Sequence, residues 1–500
     1  MPHFLTQLTY YVAILVGLVF ALFMGESLGS GEFGMVALIF GALLGIIWVI
    51  GSGDRWWFPM PYAVGMGGVF YVPFKLFPHE IALGICGIVL GLRIPFKGRE
   101  LGKPRPKLPI VFFLLVAYLL AHLAVSLMAF RGGPGLGNIS RAYMHALWAP
   151  LFGYAYYRYG STKNIQAGFR LFYCAVIIRV AFGLVNAYFD EVFIVPLINY
   201  SLDPQDLRTS GNMLLILSGL ACVASKGSVA RVGHALVCLF ASGIWLALGG
   251  SRGQLVGTLA FIAALCVFFR WRVTFFVLAT SVGIAFAFLN ISPSVIEPLP
   301  YRLQRSLTAF MINAPLELDV QEDVKGSNLF RQVISAEGYD RWTSTTRTIL
   351  VGTGMRPFDE NYFANASRFE LEVFTLLIQN AADVGAYETA LWSILAVTGL
   401  VGAGLFVFLI LSILMRMVPV IPKLRVEGYG WVCVAWAAAS LVCYLLLAPF
   451  GGGFPSFELF LSLIALAYIE DVRPTLKRPT LPEVPVPNIL EMRTAREVVA

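Results

Sequence analysis

Charge is scarce in this chain. Lys, Arg, Asp and Glu together make up 13% of its 500 residues, against about 25% in ordinary soluble domains, which excludes a water-soluble globular protein. Histidine is rarer still, with only His3, His79, His122, His145 and His234. All seven cysteines (Cys86, Cys174, Cys222, Cys238, Cys266, Cys433 and Cys443) lie inside apolar runs, where a free thiol behaves as a small buried hydrophobe. Neither a disulfide framework nor a metal site is implied. The first hydrophilic gap, Gly25 to Glu32, holds no Asp-x-Asp pair and too little polar structure to hold a cation. The first apolar run has no basic leader and no small-residue cleavage site, so it reads as a retained helix.

What the chain has in excess is hydrophobicity: 58% of its residues are apolar and its mean hydropathy is +0.76. A bilayer core takes roughly 20 residues per helix, and about fourteen stretches can be laid along the sequence. They are Tyr11–Met24, Phe33–Ile50, Phe58–Leu76, Ile81–Leu92, Leu108–Phe130, Tyr143–Tyr157, Phe169–Phe189, Met213–Ala224, Val232–Leu248, Leu255–Phe269, Val273–Leu289, Thr389–Met415, Trp431–Leu447 and Phe457–Ile469. Ile81–Leu92 is short enough to sit half-embedded. The expected fold is an all-α polytopic membrane bundle. It divides into an N-terminal bundle (1–290), a large outer loop (291–388), C-terminal helices (389–470) and a tail (471–500).

Lysine and arginine in short loops set the orientation, because such loops stay cytoplasmic. The densest basic stretch is Arg93, Lys97, Arg99, Lys103, Arg105 and Lys107. With it inside, Arg158 and Lys163, Lys226 and Arg231, Arg270 and Arg272, and Arg416, Lys423 and Arg425 all fall on the same side. Both termini then come out cytoplasmic. The net charge of +7 belongs mostly to these loops and the tail, so a nucleic-acid partner is not implied. The tail carries Pro479, Pro482, Pro485 and Pro487 and suits an extended linker.

The segment Ile291 to Glu388 is too long to be a passive connection. Tyr301–Leu307 and Phe369–Phe374 space apolar residues helically, which suggests short helices along the membrane surface. Between them lie Arg331, Arg341, Trp342, Arg347 and the turn-prone Gly352-Thr353-Gly354. Upstream, Arg252 stands alone in Gly249-Gly250-Ser251-Arg252-Gly253 between two apolar runs, on the outer face. An arginine beside a span is costly there and usually has a partner. The glycines leave room for something bulky and anionic.

These pieces resemble the O-antigen ligase and polymerase superfamily of bacterial envelope glycan assembly. The resemblance rests on Ser251-Arg252-Gly253 opening a helix, Gly352-Thr353-Gly354 in a large outer loop, and Gly399-Leu400-Val401-Gly402 in the following span. Arg208-Thr209-Ser210-Gly211-Asn212 is similar to an upstream motif of that family. The match runs from about Leu207 to Leu414. Ligases of the superfamily carry a histidine near the end of the outer loop, where this chain has Ala386-Tyr387-Glu388-Thr389. That departure points to a polymerase.

The resemblance implies transfer of a glycan from a polyprenyl (undecaprenyl) pyrophosphate donor to a sugar hydroxyl of another lipid-linked unit. The site would face the periplasm of a bacterial inner membrane, and no metal or cofactor is implied. Fixed guanidinium groups would neutralise the leaving pyrophosphate. Arg252, Arg208 and Arg331 are the candidates, with Arg341, Arg347 and Arg356 behind them. Each has a plainer reading as an interfacial arginine reaching for headgroups. Glu388 is the candidate base, since partial desolvation at the membrane edge would raise its pKa towards a useful range; its plainer role is a helix N-terminal carboxylate. Tyr387 would stack on the acceptor sugar, and Glu370, Glu372 and Asp383 are further carboxylates of the loop. His122 and His145 read as polar packing groups, and the role of the mid-helix Arg179 stays open.

The nearest alternative is a ligase or protein-glycosylating relative. A transporter or flippase would be polytopic too, but usually shows internal repeats and needs no such loop. Partners beyond donor, acceptor and membrane lipids would be a chain-length regulator or other glycan-assembly proteins.

Overall fold

The computed structural model describes residues 55–72, 74–97, 105–129, 136–160, 162–189, 200–201, 204–248, 252–299, 318–355, 387, 389–449 and 456–477, and positions 43, 51, 304, 307 and 310–312. The first two expected spans, Tyr11–Met24 and Phe33–Ile50, lie outside these residues apart from Leu43. The architecture is helical. Five described stretches are long and apolar enough to cross a membrane: Ile110–Ala129, Ile165–Val185, Arg272–Ile291, Ala390–Lys423 and Gly428–Leu447. Ser210–Ala224, Ser228–Ile244 and Gly253–Phe268 are shorter apolar helices.

In chain order the elements begin with α1 (Pro59–Met66), β1 (Val69–Val72), β2 (Phe74–Leu76) and α2 (Pro78–Lys97). Next come α3 (Ile110–Ala129), α4 (Leu136–Tyr159), α5 (Ile165–Phe189), β3 (Tyr200–Ser201), α6 (Pro204–Ala224), α7 (Ser228–Leu248), α8 (Arg252–Phe268) and α9 (Arg272–Ile291). The remainder is α10 (Leu318–Thr343), α11 (Thr346–Val351), α12 (Ala390–Met417), α13 (Gly428–Leu447) and α14 (Ser456–Lys477).

The helix α3 shows why composition was decisive. Phe112, Leu115, Leu119, His122 and Ser126 are buried, a spacing of three and four residues that forms one face. The opposite face is just as apolar, with Ile110, Phe113, Leu114, Leu120, Val125 and Met128 exposed. Apolar side chains all round a half-buried helix belong against lipid. At the centre lies α13, with 67% of its apolar window inside the protein against 6% for the peripheral α9. Its Ala435, Ala437, Ala438 and Ala439 are fully buried, and small residues let neighbouring backbones approach.

Three expectations need correction. Phe58–Leu76 is not a span: α1 stops at Met66, and the chain turns through Gly67 (φ +56°) and Gly68 (φ +72°) into an antiparallel sheet ordered β2-β1-β3. Consecutive glycines end the helix, and Val69-Phe70-Tyr71-Val72 suits a strand. Arg179 of α5 is buried there. A β-carbon on Gly67 would fall 2.2 Å from its guanidinium carbon, so a cation lies at the α1 C-terminus, the sign the helix dipole favours.

The run Ile81–Leu92, expected to be half-embedded, belongs to the 20-residue α2, which takes Arg93 and Lys97 out of the basic loop. The 291–388 segment, expected on the outer side, holds the 26-residue α10, where only short helices were expected. The segments Tyr301–Leu307 and Phe369–Phe374 lie outside the described residues except for Gln304 and Leu307.

The basic loops do share one end of the bundle. Arg105 bonds Asp471 of α14 through both carboxylate oxygens at 2.9 and 3.0 Å. It also donates to the carbonyl of Tyr157 in the last turn of α4 and to that of Gly160 just past its end. Thr162 donates to Asp471 at 2.6 Å, and Arg416 donates to the Lys107 carbonyl. Lys226 pairs with Glu427 at 2.6 Å. Burial alone would raise the Asp471 pKa, but hydrogen bonds from Arg105 and Thr162, with the Arg105 charge, hold it below the usual carboxylate range.

Candidate functional site

At the other end, the span expected to run unbroken from Thr389 to Met415 is interrupted. Gly399 adopts φ 64° and ψ −172° inside α12, so the carbonyls of the preceding turn lose their helical donors. Other parts of the chain replace them. The N–H of Thr353 donates to the Ala396 carbonyl at 2.8 Å, and that of Gly354 to the Val397 carbonyl at 3.0 Å. The Tyr118 hydroxyl of α3 donates to the Thr398 carbonyl at 2.7 Å. Unpaired backbone at membrane depth costs several kcal/mol per group, so a break is tolerated only where protein covers it. Gly352-Thr353-Gly354 and Gly399 therefore form one structure: a β-carbon on Gly399 would fall 2.4 Å from the Leu350 carbonyl.

A polar cluster surrounds the break. Tyr143 of α4 is fully buried, its hydroxyl 3.2 Å from Ser126 and accepting the Met355 N–H at 3.3 Å. The His122 ring stacks obliquely on Tyr118, with centroids 4.6 Å apart. His122 is 9% exposed; its ring interacts with the Val351 backbone, while its Nε2 has no hydrogen-bond partner of ordinary geometry among the described residues. Arg347 lies within electrostatic reach of it. A capping box places Arg347 in α11: Thr345 Oγ1 accepts the Thr348 N–H at 3.1 Å, and the Thr345 N–H donates to Thr348 Oγ1 at 2.9 Å.

The expected site residues fall into two groups. Arg347 is exposed, and Arg331 is exposed on α10, one turn before the buried Ile334. Tyr387 precedes α12, is fully buried and packs its ring against α10 at Gly338. Arg208 and Arg252 form the second group, near the N-terminal end of α6 and at the first residue of α8. Their side chains are outside the description, but Thr258 Oγ1 of α8 lies 2.8 Å from Asn212 Oδ1 of α6. The same hydroxyl donates to the Gln254 carbonyl at 2.8 Å. One proton serves one acceptor, so both contacts are satisfied when the Asn212 amide turns its NH2 to the hydroxyl. The two arginine motifs thus open adjacent helices at the same end. The Leu391 N–H donates to the Ala448 carbonyl at 2.9 Å, and Gly257 of α8 abuts Leu447, so the α13 C-terminus joins the groups.

Glu388, Glu370, Glu372, Asp383 and Arg356 lie outside the described residues, as does the side chain of His145. Sequence reading passed over Tyr118 and Tyr143, although Tyr118 lies one turn before His122 on α3. It also passed over Glu458, in the first turn of α14 within electrostatic reach of Tyr444. The available signal was a lone carboxylate in the apolar run Phe457-Glu458-Leu459-Phe460, and such groups are functional candidates by default.

Among the described residues, no group of three or more His, Cys, Asp or Glu is placed to hold a metal ion. The chain matches no protein-family model and no curated protein.

Proposed function

We propose that this chain is a membrane glycan polymerase acting on polyprenyl pyrophosphate-linked oligosaccharides at the outer face of a bacterial inner membrane. The supporting observation is the joining of segments far apart in sequence: Gly352-Thr353-Gly354 is hydrogen-bonded into the break at Gly399, and the helices opened by Arg208 and Arg252 are linked through Asn212 and Thr258. These are the pieces on which the resemblance to the O-antigen ligase and polymerase superfamily rests. The basic end of the bundle would be cytoplasmic, leaving the broken helix outside.

In the reaction, the bond between the donor's anomeric carbon and the pyrophosphate oxygen breaks, and a glycosidic bond to the acceptor oxygen forms. The acceptor proton passes to a carboxylate, Glu388 in this reading, and polyprenyl pyrophosphate leaves. Arg252 and Arg208 stabilise the charge on the leaving group by paired hydrogen bonds. Arg331 and Arg347 bind substrate phosphate or sugar from the loop side. The reading calls for no diffusible cofactor.

The test is reconstitution of the purified protein with lipid-linked repeats of one sugar composition. A ladder of longer lipid-linked chains supports the reading, and transfer only to a different acceptor makes it a ligase. Broken helices also line substrate paths in transporters, so movement of intact lipid-linked repeat across vesicles without a new covalent product would replace the enzyme by a carrier. Orientation is tested separately. Asn328→Cys on the exposed face of α10 should react with an impermeant thiol reagent in intact spheroplasts; labelling only after permeabilisation would invert the topology.

A further inference from the structure

The basic end holds a cavity of about 1000 Å³ that the proposed reaction does not use. That is the upper end of the range for small-ligand pockets. Its lining includes Arg170, Lys226 and Arg425 against one carboxylate, Glu427. Arg170 is exposed and lies over the Tyr429 ring at 5.4 Å, while Lys226 is held by Glu427 at 2.6 Å. Three cations against one anion leave an excess of positive charge in a concave site, where low-dielectric walls focus the field.

A second observation points to a ligand. Trp431 lines the cavity, is 1% exposed, and its indole N–H has no hydrogen-bond partner among the described residues. An indole nitrogen only donates, so its complement is an acceptor oxygen, and a buried donor left unpaired costs about 1–3 kcal/mol. The helix starts agree in sign. First-turn residues of α5, α7 and α13 line the cavity (Gln166, Ala230 and Tyr429), and Glu427, the N-cap of α13, makes no side-chain capping bond. Helix N-termini favour anions.

We propose that this cavity binds a phosphate-bearing anion, with its charge among Arg170, Lys226 and Arg425 and one oxygen accepting from Trp431. The proposal does not depend on the activity at the opposite end. Such a group comes either from a soluble phosphate compound or from an anionic lipid headgroup of the adjacent leaflet, and both present the same oxygens.

The experiment uses the full chain in detergent, titrated with inorganic pyrophosphate, and in nanodiscs of phosphatidylglycerol or phosphatidylcholine, with bound lipid counted by native mass spectrometry. Arg170→Gln and Lys226→Gln should each weaken binding about tenfold or more, as expected for a charged hydrogen bond. Trp431→Phe, which keeps most of the ring, should weaken it several-fold. Glu427→Gln should tighten it, because it releases Lys226. Saturable pyrophosphate binding with this pattern identifies a soluble ligand. Phosphatidylglycerol retention with the same pattern, and no pyrophosphate binding, identifies a headgroup. Absence of both, or binding unchanged in the Arg170→Gln/Lys226→Gln double variant, overturns the site. Should Trp431→Phe fail to fold, the surface variants Arg170→Gln, Lys226→Gln and Glu427→Gln decide alone.

Discussion

Gly352 lies so close to α12 that a β-carbon on it would fall 2.3 Å from the Val397 carbonyl oxygen. The contact is backbone against backbone, so no side chain can swing away to relieve it. Gly352 also has φ 81° with ψ 177°, a region essentially reserved for glycine that costs other residues about 1–3 kcal/mol before any clash. Gly352→Ala should therefore lower the unfolding temperature in detergent and abolish activity. Gly404→Ala in the same helix α12, where a β-carbon meets nothing within 4 Å, should do neither. Equal behaviour of the two variants would refute the tight junction.

Tyr118→Phe removes the donor to the Thr398 carbonyl while keeping the ring beside His122. The expected cost is about 1–3 kcal/mol for an orphaned buried acceptor. Its specific signature is faster hydrogen exchange at amides 399–402, just past the break. Unaltered exchange there would show that Tyr118 does not hold the junction.

Under the proposed reaction, Arg252→Lys keeps the charge but loses the planar two-pronged contact that a guanidinium would make to pyrophosphate oxygens. Polymer formation should be severely impaired at normal expression. Near-normal polymer would remove Arg252 from the site.

Carboxylate chemistry is tested by comparing Glu388→Gln, Glu370→Gln and Glu458→Gln at matched protein. Loss of about two to four orders of magnitude, the usual contribution of a positioned base, is expected for Glu388→Gln alone. Loss confined to Glu458→Gln would move the base to α14, and loss confined to Glu370→Gln would move it to the loop. Full activity in all three would leave the arginines to carry the reaction by charge stabilisation.

Asp471 gives the basic end a pH dependence. Its folded pKa is depressed, so its contribution to stability is complete above the unfolded value, about 3.9. That contribution is lost as pH falls through the lower folded value. Near pH 7 the wild type should unfold at a higher temperature than Asp471→Asn, and the gap should close below about pH 4. A gap that persists in acid would mean that the pair is not ionic in origin.

Legibility in the sequence followed periodicity. The faces of α3 were readable because hydrophobicity is dense there and its ends are basic or glycine-rich. The helix α10 was not, since its buried face amounts to Phe330, Val333, Ile334 and Gly338 among charges that dilute the pattern. The break at Gly399 was hidden for a different reason: glycine is common in membrane helices, and only the partner segment around Gly352 makes this one non-helical. The arginine motifs could be placed at the same end by counting, but the Asn212–Thr258 link is a tertiary fact. The hairpin after α1 was missed because Val69-Phe70-Tyr71-Val72 is as apolar as a span.

Arg105 and Asp471 are 366 positions apart. A ribosome adding about 5–20 residues per second needs roughly 20 to 70 s to make what lies between them. For most of that interval the Tyr157 and Gly160 carbonyls can have the Arg105 guanidinium, but Arg105 lacks its counter-ion. The ionic part of the basic rim is therefore completed only when α14 arrives, and a chain truncated before Asp471 would keep the Arg416–Lys107 and Lys226–Glu427 links but leave Arg105 without its carboxylate.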